Sequence, residues 1–285
     1  MTTTTATAAA STPTRRRSPS QWTIGRAIGT RAVFDRMTIV GALAFYGLAM
    51  GAGVGALWPP LQKTFADLSD SLPAAFDQML GGVSLATPAG WVNAEMMSFI
   101  APGFLIAIAI ISGGRAIAGE EDLRTMGLVL STSASRTTFL AAKTAAMVVH
   151  VLIVSVSLFI GLLLGNVIGD LGIGIGRLLA ATVQMTLVGL VFGAVALTVG
   201  VAGADRRRTT AISAGMAGLS FVLAVFLPMS EPLKWLAKLN FWYPYSANVA
   251  LINGIEWGSA AILAACAVAI SAVGFVIFPR RDLRG

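Results

Sequence analysis

Acid–base, metal or proton-transfer chemistry in this chain would have to be built from one histidine, one cysteine and 13 acidic residues. His150 has no Cys, Asp or Glu at metal-ligand spacing, so no zinc-type site is readable around it. It lies six residues, roughly 9 Å along a helix axis, inside a charge-free apolar run. An intramembrane histidine is a functional candidate by default. Without an acidic partner, the reading preferred for His150 is a hydrogen bond between helices. Cys266 is alone in another apolar run, which excludes a disulfide framework. Residues 172–177, Gly-Ile-Gly-Ile-Gly-Arg, have the outline of a phosphate-binding loop but lack the Lys-Ser/Thr ending and follow no strand. No G-x-x-x-x-G-K-[ST] occurs in the chain, so if ATP is used another chain binds it. No nucleophile–base pair or metal cluster points to an enzyme.

The remaining concentration of chemistry is a polar island over residues 115–143. It carries Arg115, Glu120, Glu121, Asp122, Arg124, Arg136 and Lys143 between two strongly apolar runs. Glu120, Glu121 and Asp122 suit the start of a short helix, whose positive dipole end favours acids. Leu123, Met126 and Leu130 then recur on one helical face. Ser131, Thr132, Ser133 and Ser135 break that run, and Ser135 or Ser133 is a natural N-cap for a helix starting near Arg136. The pattern reads as helix, polar turn and second helix. A solvated loop with satisfied charges fits the residues equally well.

What positions the island is membrane helix. The 285 residues are 56% hydrophobic and 12% charged, against about 25% charged in an ordinary soluble domain. Six runs lack Asp, Glu, Lys and Arg and reach the roughly 20 residues that cross a bilayer: 37–58, 96–114, 144–169, 178–204, 209–230 and 257–279. The fold class expected is therefore an all-α integral membrane protein with six transmembrane helices. None of the six runs contains a carboxylate, which argues against a proton- or cation-coupled carrier and an intramembrane aspartyl protease. The connectors at 170–177 and 205–208 are short enough to force antiparallel hairpins. Alternate connectors carry 16 and 4 Lys and Arg, so both termini and the island are expected in the cytoplasm. The net charge of +7 is accordingly read as membrane orientation, and no nucleic-acid partner is expected.

Residues 1–20, rich in Thr, Ala and Ser, are expected to be a disordered cytoplasmic tail, without a cleavable signal peptide. Residues 21–36, with Trp22, Arg26, Arg31 and Arg36, suit an interfacial helix, and 280–285 a short cytoplasmic tail. The connector at 59–95 has Leu61, Phe65, Leu68 and Leu72, then Phe76, Met79 and Leu80, suiting two short surface helices. Trp235, Phe241, Trp242, Tyr243, Tyr245 and Trp257 suit an aromatic belt. Both connectors are read as membrane anchors rather than a substrate lid. Gly47, Gly51 and Gly55, and Gly161, Gly165 and Gly169, form rows that allow close helix packing, within the chain or at a subunit interface.

At the island the sequence resembles the permease subunits of type-2 ATP-binding-cassette (ABC) exporters. Their connector after span two typically reads E-E-x-x-G-T-x-x-L-L-L-S-x-P-x-S-R, with a Lys about seven residues on. Glu120, Glu121, Thr125, Leu128, Leu130, Ser131, Ser135, Arg136 and Lys143 match in register. Arg124 and Ser133 stand where the family usually has Gly and Pro. Residues 278–283, Phe-Pro-Arg-Arg-Asp-Leu, are similar to the family's closing F-x-R-R-D-[LI]. The resemblance covers the chain from about residue 22.

The resemblance implies a dimer of six-span subunits, homo- or heteromeric, each resting on a cytoplasmic ABC ATPase that binds ATP and Mg. The chain itself would bind no cofactor. The island would supply a coupling helix between spans 2 and 3, with Glu120, Glu121, Leu123, Met126 and Arg136 as contact or relay residues. Read with that family, the expected location is a prokaryotic cell membrane. The expected cargo is a hydrophobic or amphipathic compound such as a drug, antibiotic or lipid, since the spans are uncharged. The alternative from the residues is a self-contained secondary carrier or channel, disfavoured by the absence of intramembrane acids and of an internal repeat.

Overall fold

Six helices long and apolar enough to cross a bilayer make up most of the chain in the computed structural model, which describes residues 20–69, 83–122 and 135–281. The tail expected to be disordered, the surface helix expected near Phe76–Leu80, and Leu123 and Met126 of the island lie outside the described residues. Helix α1 (Gln21–Phe34) is capped by Ser20, whose Oγ accepts from the Thr23 N–H at 3.3 Å. Spanning helix α2 (Met37–Ala56) follows, then α3 (Trp58–Ser69).

The second span, Pro88–Gly114, is built in pieces. Helix α4 (Pro88–Val92) leads through a π-helical turn at Asn93–Met97 to α5 (Ile100–Gly114). The break has a local cause. Pro102 has no N–H to give to the preceding turn, and Ser98 instead bonds back to the Asn93 carbonyl through both its N–H and its hydroxyl, each at 2.8 Å. This span starts well before the uncharged run because Glu95 sits inside the π turn.

After the short helix α6 (Ala118–Asp122) comes α7 (Arg136–Ile168), at 33 residues the longest in the chain. At 1.5 Å per residue it is about 50 Å long, against a hydrocarbon core of about 30 Å. Its first two turns, from Arg136 to Lys143, are the polar part. Ser135 caps it, accepting from the Thr138 N–H at 3.0 Å. Helix α8 (Ile175–Val201) is the central, most buried span, enclosed by α5, α7, α9 (Arg206–Phe226) and α13 (Trp257–Ile277). Between α9 and α13 lie short turns of helix: α10 (Lys234–Ala237), α11 (Tyr243–Ser246) and α12 (Ala250–Asn253).

The two glycine rows meet each other. A Cβ on Gly51 would lie 2.6 Å from the Leu162 backbone N, and one on Gly55, Gly161 or Gly165 would collide with backbone of the facing helix. Helices α2 and α7 thus touch main chain to main chain, the arrangement that small residues every four positions allow. Helix α1 runs beside the first half of α7 in the same direction. Gln21 Oε1 accepts from the Ser135 N–H at 3.0 Å, and Gly25 and Gly29 sit over Thr138 and Ala142. Trp22 and Phe34 stay exposed on its other side.

Candidate functional site

One end of the bundle gathers the chemistry: the starts of α2, α7 and α9 and the ends of α5, α8 and α13. Glu120, on α6, accepts from Lys143 Nζ at 2.6 Å, and neither side chain is more than a quarter exposed. This pair joins the short polar helix to the second turn of α7. Two turns earlier on the same helix, Arg136 points to the chain's last turn. Its Nη1 donates to the carbonyls of Arg281 at 2.6 Å and Pro279 at 3.2 Å.

Arg281 continues the relay. Its guanidinium donates to the Val201 carbonyl at 2.9 Å, at the C-terminal end of α8, where a cation meets the negative end of the helix dipole. Gly203, at φ +108°, lets the guanidinium lie flat against the backbone; a Cβ there would stand 3.2 Å from an Arg281 nitrogen. Beneath this, Phe139 and Phe278 stack at 6.5 Å within a small apolar cluster with Ile117, Leu140 and Val201.

His150 sits deeper and is 1% exposed. Its Nε2 lies 3.1 Å from the Val33 carbonyl and its Nδ1 2.9 Å from Ser112 Oγ. A carbonyl only accepts, so Nε2 carries the proton, and the neutral ring accepts from Ser112. One imidazole therefore ties α1, α5 and α7 together. A cavity of about 260 Å³ opens between His150 and the Glu120–Lys143 pair.

Of the residues expected to meet an ATPase, Glu120 and Arg136 both touch α7 or the chain end rather than standing free. Glu121 belongs to the same short helix as Glu120. The sequence reading passed over Arg281 as a cap for α8, although the closing F-x-R-R-D pattern marks its position. Lys143 is marked by the island and Arg36 by the first helix, but nothing in the spacing of Lys143, Arg36 and Arg206 indicates a shared cavity.

The other end of the bundle is aromatic. Trp242, 3% exposed, packs against Phe221 at 5.3 Å, Tyr245 at 6.1 Å and Phe192 at 6.4 Å. The Tyr245 hydroxyl donates to the Met97 carbonyl at 2.5 Å, and burial raises its pKa above the ordinary phenol value. Trp91 Nε1 donates to the Val54 carbonyl at 2.8 Å. Asn240 holds Ser220 on α9 through both ends of its amide. A cavity of about 370 Å³ lies here, lined among others by Met97, Ala181, Phe221, Pro228, Trp242 and Tyr245. One turn along α8 from Ala181, fully buried Gln184 has both side-chain amide atoms without a hydrogen-bond partner.

Among the described residues no group of three or more His, Cys, Asp or Glu side chains could hold a metal ion. Six apolar spans, one of them a buried central helix, with ionic joints gathered at one end, define a multi-pass membrane protein. The family model for the ABC-2 family transporter protein matches residues 30–283, and the chain belongs to that family of ABC transporter permeases. A search of curated proteins returned no match. Members of the family are membrane transport components whose ATPase activity resides on a separate subunit.

Proposed function

We propose that this chain is the permease subunit of an ATP-driven exporter. The charged end of the bundle faces the cytoplasm, where Lys and Arg accumulate. There it rests on a separate ATPase that holds ATP and Mg, in the cell membrane of a prokaryote, with a second permease subunit completing the path. The observation that carries this reading is the joint between Glu120 and Lys143 at 2.6 Å. The segment containing Glu120 and Glu121 is the part of the chain offered to a docking partner. A push on it reaches the 33-residue α7 directly, and through Arg136 and Arg281 it reaches the end of α8. Arg136 is then a relay rather than a contact. Rigid-body displacement of these helices would open the path. The aromatic cavity near Trp242 suits a hydrophobic or amphipathic cargo, with Gln184 as the nearby uncommitted polar group.

The test is purification from native membranes in mild detergent, with mass spectrometry of what accompanies the chain. A stoichiometric soluble chain carrying G-x-x-x-x-G-K-[ST] is expected, together with ATP-dependent uptake by inverted vesicles. A lone chain that moves solute down a gradient without ATP overturns the proposal.

A further inference from the structure

The cavity of about 370 Å³ at the aromatic end has a lining that suits one sign of charge. Phe221, Trp242, Tyr243 and Tyr245 contribute rings to its wall. Trp242 stands nearly edge-on to both Phe221 and Tyr245, at interplanar angles of 69° and 84°. Rings set this way present their faces in different directions, like the sides of a box. No Asp, Glu, Lys or Arg is among the described residues of the lining. An anion would find no cation there to pair with, whereas a cation is drawn to the negative face of an aromatic ring.

A counter-charge lies in the same turn of helix as part of that wall. Asn93 and Met97 of the π turn belong to the lining, and Glu95, exposed, stands between them in sequence. It is the one Asp or Glu within the six spans. Among the described residues no hydrogen bond or ion pair reaches it. The undescribed part of the connector between the first two spans, residues 70–82, holds Asp70 and Asp77 but no Lys or Arg, so it adds no cation. The wider charge points the same way. Residues 59–95, 170–177 and 231–256, which connect the spans at this end, carry seven acids and four cations, in a chain whose net charge is +7. Such a field raises the local concentration of cations.

We infer that this cavity binds an organic cation, one that carries its charge on an apolar body, such as a quaternary ammonium or phosphonium compound. Ring faces take the charge, Met97 and Met229 cover apolar parts, and Glu95 supplies the balancing carboxylate. A compact, strongly hydrated metal ion is excluded by the same lining, since ring faces return less than its lost water. The place of Glu95 within a π turn agrees, because such turns recur at functional sites. The inference narrows the cargo from amphipathic compounds to amphipathic cations, and in naming the ligand as cargo it rests on the exporter reading. The binding itself does not.

The experiment places the full-length protein, with any subunits that accompany it, in phosphatidylcholine nanodiscs and measures saturable binding of radiolabelled tetraphenylphosphonium, with empty nanodiscs subtracted. Tetraphenylborate, an anion of nearly the same shape, is measured separately and is expected not to bind saturably. Tyr243→Leu takes one ring from the wall and is expected to raise the Kd for the phosphonium about fivefold. Tyr243→Phe keeps the ring and is expected to leave it unchanged. Glu95→Gln keeps the shape, removes the charge, and is expected to raise the Kd about fivefold as well. Asp170→Asn removes the same charge from the connector between α7 and α8, outside the lining, and is expected to leave the Kd unchanged. If Tyr243→Leu does not fold, Glu95→Gln, at an exposed position, carries the test.

Equal binding of the borate and the phosphonium, or phosphonium binding that neither Tyr243→Leu nor Glu95→Gln weakens, overturns the inference. An equal loss in Asp170→Asn overturns it too, because general surface charge would then account for the effect of Glu95. The assay needs neither ATP nor transport, so the two readings fail separately. Phosphonium held in this cavity by a chain that purifies without an ATPase keeps the site and removes the exporter. An ATP-driven exporter that binds no phosphonium removes the site and keeps the exporter.

Discussion

At the end of the bundle where α5 finishes and α7 begins, segments distant in sequence are joined by charge: Glu120 to Lys143, Arg136 to the chain's last turn, and Arg281 to the end of α8. At the opposite end the joints are neutral. Trp242 is wedged among Phe192, Phe221 and Tyr245, and the hydrogen bonds run from ring groups to carbonyls, as from Tyr245 to Met97 and Trp91 to Val54. The difference bears on how each end can be moved. Ionic joints are strong at one geometry, soften in salt, and can be rewired by a charged partner. Packed rings resist small displacements because their energy is spread over many weak contacts. A bundle driven from its charged end and closed by its aromatic end would need that distribution.

The comparison breaks most visibly at Trp242. Replacing it with Ala should cost about 3–5 kcal/mol, the usual range for a large aromatic removed from a packed site. Denaturant unfolding in detergent would read this, and the loss should be the same in low and high salt. Lys143→Ala comes next, at about 1–3 kcal/mol, because it takes away the ammonium that Glu120 accepts from. Part of that loss should vanish in about 1 M salt, where the Debye length is near 3 Å. A Lys143→Ala loss that ignored salt would mean the charged end is held by packing after all. The smallest effect is expected from Tyr245→Phe, which keeps the ring and removes only the bond to Met97. It should cost about 0.5–1.5 kcal/mol. A cost equal to that of Trp242→Ala would transfer the aromatic end's strength from packing to hydrogen bonds.

Much of the architecture is legible in the residues because lipid imposes one dominant rule: a span must be apolar for about 20 residues. That rule finds the six spans but measures the uncharged stretch, not the helix. Hydropathy alone would start α7 at Thr144; the capping pattern at Ser135 places the start near Arg136, and the helix does run unbroken from Arg136. The span at Pro88–Gly114 is harder to read. Glu95 and Pro88 look like connector, and only the three-dimensional packing of Trp91, Met96 and Met97 draws that segment into the bundle. The glycine rows are visible as rows, but periodicity along one helix says nothing about which helix faces it. The candidate site was half legible. Motif and charge marked Glu120, Arg136 and Lys143 as unusual, whereas their partners lie 23 to 145 residues away. Arg36, Arg115 and Arg206 converge only after folding, so no local pattern announces their shared cavity.

The seam between α2 and α7 also carries a schedule. Gly51 and Gly161 are about 110 residues apart, so at typical translation speeds of about 5–20 residues per second one face exists for roughly 5–20 seconds before the other is made. During that interval α2 stands in lipid with its glycine stripe uncovered. A β-strand so stranded would leave backbone groups unbonded in hydrocarbon, but a helix satisfies them internally and can wait. The stripe is flat and almost featureless to lipid, and gains its meaning only when the later helix arrives to lie against it. The order of synthesis thus makes this main-chain contact between α2 and α7 one that the first span can form only late.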